Sequence, residues 1–222
     1  MKALVVGSTG AIGSLLLSRL LTDDRFAEII AITRRPLTIQ SAKLKELKID
    51  SLEDLTSLNF ENNIDVIFCC LGTTIKTAGS QEKFRQVDFG GVHLLGQLAE
   101  RLRVKRFILI SAMGANKNSH IFYNQVKGEA EADLQSRKID SIIIFRPGLL
   151  LVNRSEFRLG ELLAIKAMDL VEKIIPQNFL VGFSTKAEDL VQSMIDASLG
   201  ISQEAKPSGL CFIEASQIKS RN

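Results

Sequence analysis

The chain is poor in the residues that staple, anchor or metallate a protein. Of its 222 residues, three are cysteine, two histidine, one tyrosine and none tryptophan. Cys69 and Cys70 are neighbours in an apolar run and Cys211 stands alone, so no disulfide framework is expected. No C-x-x-C pair and no Cys/His spacing suited to zinc occurs, which predicts no metal site. No apolar run approaches the ~20 residues of a membrane helix. The first residues open straight into a strand, without the basic region and apolar core of a signal peptide. These absences lead to the expectation of a reducing, cytoplasmic setting with no membrane contact. The net charge of +3 is small and its basic residues are scattered, so nucleic acid is not an expected partner. The densest cluster, Arg101, Arg103, Lys105 and Arg106, falls where a helix should end, and there it offsets the helix dipole. Internal repeats, low-complexity segments and linkers are also missing. What remains, 45% hydrophobic and 24% charged residues, suits one large α/β domain.

What is present begins at once. Ala3-Leu4-Val5-Val6 is a short β-branched apolar run, and Gly7-Ser8-Thr9-Gly10-Ala11-Ile12-Gly13 follows without a spacer. Leu15, Leu16, Leu17, Leu20 and Leu21 then recur at helical spacing. Strand, glycine-rich turn and helix form the context in which G-x-x-G-x-x-G binds a dinucleotide. Gly7 permits the turn, Gly10 leaves the backbone open to a pyrophosphate, and Gly13 lets helix and strand approach. The free N–H groups and dipole of the helix start then hold the anion. Residues 7 to 13 are therefore the first expected cofactor contacts.

A second strand, Ile29 to Thr33, ends in Arg34-Arg35-Pro36, and no carboxylate lies between Ile29 and Lys45. An NAD-selective site places an acid there for the ribose 2′-hydroxyl, whereas guanidinium groups suit a 2′-phosphate. NADP(H) is the expected cofactor; the other reading leaves one or both arginines in solvent. A third strand is expected at Leu47-Lys48-Ile49. Asp50 follows it, as an adenine contact or a plain turn residue. Ser51 with Asp54 reads as a helix cap. Asp65 to Leu71 reads as a buried parallel strand ending in Gly72-Thr73-Thr74. Leu71, Gly72 and Thr73 are expected beside the cofactor, since a small residue there admits the ribose. After a loop to Ser80, a long helix is expected from about Gln81 to Arg103. Gly90-Gly91 inside it implies close packing on a neighbour. His93 on that helix reads as a core or interface residue.

Phe107 to Ile110 forms a fifth strand ending at Ser111. A polar loop containing His120, expected in solvent, leads to a helix from Tyr123 to about Arg137. Ser141 to Arg146 is a sixth strand, stopping at Pro147-Gly148. Alternation of this kind predicts a doubly wound parallel sheet with helices on both faces. Residues 1–150 form the expected cofactor-binding core of a single domain, 1–222. Beyond Leu151 a helix (Gly160 to about Lys173), a break at Pro176, a helix (Ala187 to Leu199) and a strand (Leu210 to Glu214) are expected. They are assigned to a small substrate-side cap interleaved with the sheet.

Tyr123 and Lys127 lie four apart and so share a helix face, and Ser111 closes the preceding strand. Ser111, the Y-x-x-x-K of Tyr123 and Lys127, and Thr9-Gly10-Ala11-Ile12-Gly13 resemble the short-chain dehydrogenase/reductase superfamily. Arg34-Arg35, Leu71 to Thr74, Tyr123 to Glu129 and Arg146-Pro147-Gly148 look like its atypical, Tat-interacting-protein-like branch. The resemblance covers most of residues 1–150. It implies a Rossmann fold with Pro147 near the cofactor, and a Ser-Tyr-Lys triad. Tyr123 would donate its phenolic proton to a carbonyl oxygen as hydride arrives. Lys127 would hold the nicotinamide ribose and favour release of that proton. Ser111 would donate a hydrogen bond to the developing oxyanion. Many members carry an asparagine in the preceding helix, where this chain has Asp88. An ionised carboxylate cannot donate as an amide does.

The expected function is reduction of a small carbonyl-type substrate with NADPH by a monomer or homodimer. The alternatives are an NADP(H)-binding regulatory or interaction protein and, ranked last, a nucleotide-sugar epimerase. Lys127 and Tyr123 count as catalytic and cofactor-binding residues together.

Overall fold

A computed structural model describes residues 1–60, 63–151, 184–202 and 208–218. Seven strands form one sheet: β1 (Lys2–Val6), β2 (Glu28–Thr33), β3 (Leu44–Lys48), β4 (Val66–Cys69), β5 (Arg106–Ile110), β6 (Ser141–Arg146) and β9 (Gly209–Glu214). Their order is β3-β2-β1-β4-β5-β6-β9, and every pairing is parallel. The order reverses between β1 and β4, which opens a crevice at the strands' carboxyl ends, as in the Rossmann fold. β1, β4 and β6 are apolar and buried because each is flanked by strands and covered on both faces. β3, Leu-Lys-Glu-Leu-Lys, is an edge strand whose charges face water and blunt further pairing. It begins three residues earlier than its sequence suggests, because pairing with β2 defines it and its own apolar pattern is thin.

Helices cover both faces, as expected. On one, α1 (Ala11–Thr22) and α6 (Ala187–Leu199) pack Leu16, Leu20, Leu190 and Met194 against Val5, Phe68 and Ile143. On the other, α4 (Gly91–Arg101) and α5 (Phe122–Gln135) bury Leu95, Leu98 and Leu134 against Leu4, Ile67 and Phe107. His93 sits between α4 and α5, with Nδ1 3.0 Å from the Asp133 carboxylate, so the interface reading holds.

The stretch from Thr74 to Arg101 differs from its sequence reading in two ways. The stretch before Ser80 contains a turn of helix, α2 (Ile75–Ala78), started by Thr74 and stopped by Gly79 with φ +84°. Then α3 (Gln81–Arg85) leads into α4 through a π-helical turn, Gln86–Gly90. Gly91 has the close neighbour its sequence implied: an added Cβ would stand 2.7 Å from Leu71 Cδ1. Gly90 has no such neighbour.

Past β6, β7 (Leu149–Leu151) pairs with β8 (Ser184–Lys186) in a small second sheet. The helix expected at Gly160–Lys173 and the Pro176 break lie outside the described residues. α6 matches expectation, but it belongs to the α1 layer. The last strand, β9, pairs along the whole of β6 and completes the main sheet.

Candidate functional site

The first turn of the chain has the shape of an anion cradle. Gly7 has φ +85°, and an added Cβ would strike the carbonyl oxygen of Cys70 in the neighbouring strand exit. At Gly13 a Cβ would strike the carbonyl oxygen of Gly7, so α1 rides directly on the turn. Gly10 N–H donates to Gly7 O at 3.0 Å, and Ser14 N–H closes the first helical bond on Gly10 O. That leaves the N–H groups of Ala11, Ile12 and Gly13 without intrahelical acceptors. No side chain caps this helix start and no acid stands in its first turn. Ser8 lies beside it, 2% exposed, its Oγ without a partner among the described residues. A buried hydroxyl left unpaired next to free backbone donors fits a phosphate group, so the residues suit the cofactor their spacing predicts.

Arg34 and Arg35 follow β2, exposed and without ion-pair partners among the described residues. The structure adds an acid that local sequence does not reveal. Glu46, on β3 opposite Ala31, accepts hydrogen bonds from Thr33 Oγ1 (3.0 Å) and Leu37 N–H (3.1 Å). It thereby fixes both ends of the arginine loop. Asp50 is exposed, and its N–H, with that of Ser51, donates to the Asp54 carboxylate. These two bonds hold the Asp54 carboxyl below its ordinary range, Ser51's contribution being the larger. The expected helix start at Ser51 is present as a short 3₁₀ turn, Leu52–Thr56.

The expected catalytic residues all follow β5: Ser111 directly after the strand, Tyr123 and Lys127 on α5. Ser111 is buried and its Oγ has no partner among the described residues, while its N–H donates to Phe145 O (2.8 Å). Pro147 is buried and accepts from Met113 N–H (3.0 Å), tying the β5 and β6 exits together. Tyr123 lies in the first turn of α5 with its ring 5.5 Å from that of Phe84. One turn on, Lys127 is 6% exposed, its Nζ 2.6 Å from Asp88 Oδ1. Burial alone would depress the lysine; the Asp88 carboxylate and then Tyr123 hold its ammonium above the ordinary value. Gly72 stands over this pair, where an added Cβ would be 3.7 Å from both charged atoms. Leu71 packs against Gly91, and the Thr73 N–H donates to Asp88 Oδ2 (2.9 Å). Cys69, buried in β4, is no nucleophile, since burial pushes its thiol up to about 12. His120 is exposed, as expected. A concavity of about 580 Å³ at the opposite end of the sheet, lined by Asp65, Lys105 and Asp140, contains none of these residues.

Two features fix α5, and with it Tyr123 and Lys127. Gly128 lets the helix meet the backbone of Asn116 and Lys117, where any Cβ would collide. One turn past Lys127, the buried Glu131 carboxylate accepts two bonds from Arg146, 3.0 Å from Nε and 2.6 Å from Nη2. Arg146 also reaches Glu214 and lies over the Phe212 ring. Removing Glu131's charge from this largely buried pair leaves Arg146 only the half-exposed Glu214 to oppose it. Glu131→Gln is accordingly expected to cost about 2–4 kcal/mol. Read by thermal unfolding, that is a fall of roughly 5–15 °C in Tm. An unchanged Tm would show that the pair does not anchor the helix.

The crevice, the glycine turn and the buried lysine define a dinucleotide-binding protein of Rossmann type. A family model described as NAD(P)H-binding matches residues 7–162. The chain is 34% identical to Protein HTATIP2 of Rattus norvegicus over 86% of its length and 78% of that protein's. It is 33% identical to the mitochondrial protein FMP52-1 of Scheffersomyces stipitis, over 69% of each chain. Among solved structures, MoeE5 in complex with UDP-glucose and NAD superposes with a TM-score of 0.65 at 18% identity. The match covers 96% of this chain and 76% of MoeE5. The chain therefore belongs to the NAD(P)H-binding family.

One expectation is corrected. FMP52 proteins from several organisms are mitochondrial by name, which overturns the cytoplasmic setting inferred from composition. Free thiols and a lack of long apolar runs speak to redox state and membrane insertion; neither specifies a compartment. Among the described residues no helix is long and apolar enough to cross a membrane.

Proposed function

We propose that this protein is an NADPH-dependent oxidoreductase that reduces a small carbonyl-type substrate. The observation that carries this reading is the set of polar groups that β5 and α5 bury. A buried, unpaired Ser111 hydroxyl closes β5, and a buried Lys127 ammonium lies one turn from the chain's single tyrosine. When bound, the cofactor supplies the hydride. The chain's part is to bind, orient and protonate. The Ala11, Ile12 and Gly13 amides and Ser8 Oγ hold phosphate, and the Lys127 N–H groups left over from Asp88 hold ribose hydroxyls. Ser111 Oγ donates to the substrate oxygen as negative charge develops, and Tyr123 transfers its proton to that atom. No acid at the carboxyl end of β2 opposes a 2′-phosphate, and Glu46 is occupied by Thr33 and Leu37.

The test is whether purified protein oxidises NADPH in a deproteinised metabolite extract, with NADPH and NADH binding measured alongside. NADPH is expected to bind at least about tenfold more tightly than NADH. Replacing both Arg34 and Arg35 by alanine is expected to remove that preference, through weaker NADPH binding with NADH binding unchanged. Equal affinities in the unmutated protein would refute the NADP(H) assignment. Tight NADPH binding without consumption in any extract would favour a regulatory, cofactor-sensing role.

A further inference from the structure

Asp88 is the most buried charged residue among the described residues, at 0% exposure, and a triad reading gives it nothing to do. It stands in the π-helical turn Gln86–Gly90, a local distortion of the kind often retained at functional sites. Its two oxygens serve two different elements. Oδ1 lies 2.6 Å from Lys127 Nζ on α5, and Oδ2 accepts the Thr73 N–H (2.9 Å) from the loop after β4. Both partners belong to the side of the crevice where a nicotinamide ribose would lie. An ionised carboxylate accepts and cannot donate, so while ionised Asp88 cannot do the donor work of an amide in a relay.

We propose that Asp88 is a positioning residue that clamps Lys127 and the Thr73 loop together as one cofactor-binding edge. The inference rests on the cofactor reading above. Its energetic logic is specific. A buried ion pair is a poor way to gain stability, since an apolar pair of the same volume does as well or better. Its use here is to keep a lysine charged in a place where burial would otherwise discharge it. Among the described residues, the titratable groups facing Lys127 are Asp88 from the π turn, Tyr123 from its own helix and Cys69 from β4. Burial acts to depress the lysine, and Asp88 is the largest influence acting the other way.

The sign of the consequence follows. With Asp88 present, the lysine's ordinary 10.5 is raised, so its ammonium persists throughout pH 6–9. With asparagine in its place, burial is opposed only by the weaker neighbours, and the amine sheds its proton as pH rises. The Asp88→Asn protein should therefore bind NADPH within about threefold of the unmutated protein at pH 6. At pH 9 it should bind about tenfold or more weakly. The ratio of the two dissociation constants is the proper readout, because titration of the cofactor's own phosphates cancels in it.

The experiment is NADPH titration from pH 6 to 9 on four proteins: unmutated, Asp88→Asn, Lys127→Met and the double variant. A ratio that climbs with pH for Asp88→Asn, and does so no longer once Lys127 is methionine, supports the clamp. A ratio of one at every pH overturns it, and so does a loss of equal size at every pH, which a merely structural carboxylate would give. If Asp88→Asn does not fold, thermal unfolding of the double variant decides. Recovery of the fold on removing the lysine supports the clamp, and a double variant that stays unfolded overturns it. Failure of the unmutated protein to bind NADPH would instead overturn the cofactor reading, and is seen before any variant is made.

Discussion

Tyr123→Phe is expected to bind NADPH within about twofold of the unmutated protein while losing a factor of about 10²–10⁴ in turnover. The asymmetry follows from where the tyrosine sits. Its ring packs 5.5 Å from Phe84 at the start of α5, and phenylalanine keeps that contact. The phosphate-holding amides of the β1–α1 turn and the Lys127–Asp88 pair are untouched. Only the proton donor is lost, and no second tyrosine exists to replace it. Ser111 can still donate to the developing oxyanion, which sets the residual rate. The measurement is NADPH consumption in the fraction of a metabolite extract that supports the unmutated protein, with binding followed separately. Equal rates for the two proteins would refute Tyr123 as the acid.

The second large effect is expected at Gly13. An added methyl group lands on the carbonyl oxygen of Gly7, 2.7 Å from its carbon and 3.0 Å from Ser8 Cα. All three are backbone atoms, so relief requires moving the turn itself. Gly13→Ala is therefore expected to lose NADPH affinity by about a hundredfold or more. It should also lower Tm by roughly 3–10 °C, the usual scale of overpacking in a chain of this size. Gly10→Ala is the matched control. Its nearest neighbour would be Gly7 O at 3.4 Å, so the apoprotein tolerates the methyl group. Any loss there reports the cofactor's approach to the backbone. Unchanged Tm and affinity in Gly13→Ala would contradict the contact between α1 and the turn.

Where a signal is local, the chain is legible. Residues 7–13 declare their turn because three glycines between an apolar run and a leucine-periodic segment leave few other conformations. Ser111, Tyr123 and Lys127 are legible for a similar reason: one closes a strand and two share a helix turn. The partners of these residues are another matter. Glu46 meets Thr33 only through the register that sets it opposite Ala31. Asp88 meets Lys127 across 39 residues, and a π turn helps set its place on the helix. Glu131 and Arg146 look like an exposed acid and a strand-end base until β6 and α5 are side by side. Single-sequence periodicity carries none of this, because each pairing is decided by tertiary packing. The last strand makes the same point. Leu210 to Glu214 can be read as a strand, but only its partner decides whether it belongs to a cap or to the sheet.

That strand also bears on how the protein is made. β9 pairs with β6 along its full length, and Arg146 joins Glu214 across a separation of 68 residues. During synthesis β6 therefore emerges with one bare backbone edge, carrying Ile142, Ile143 and Ile144, and waits for its partner to leave the ribosome. The stretch matching the family model ends at residue 162, before α6 and β9. Cut there, the chain would keep its glycine turn, Ser111, Tyr123 and Lys127. It would also carry an open, isoleucine-rich strand edge with the α1 face half uncovered, a template for self-association. The recognisable cofactor-binding part and the unit that can fold are thus different lengths of the same chain.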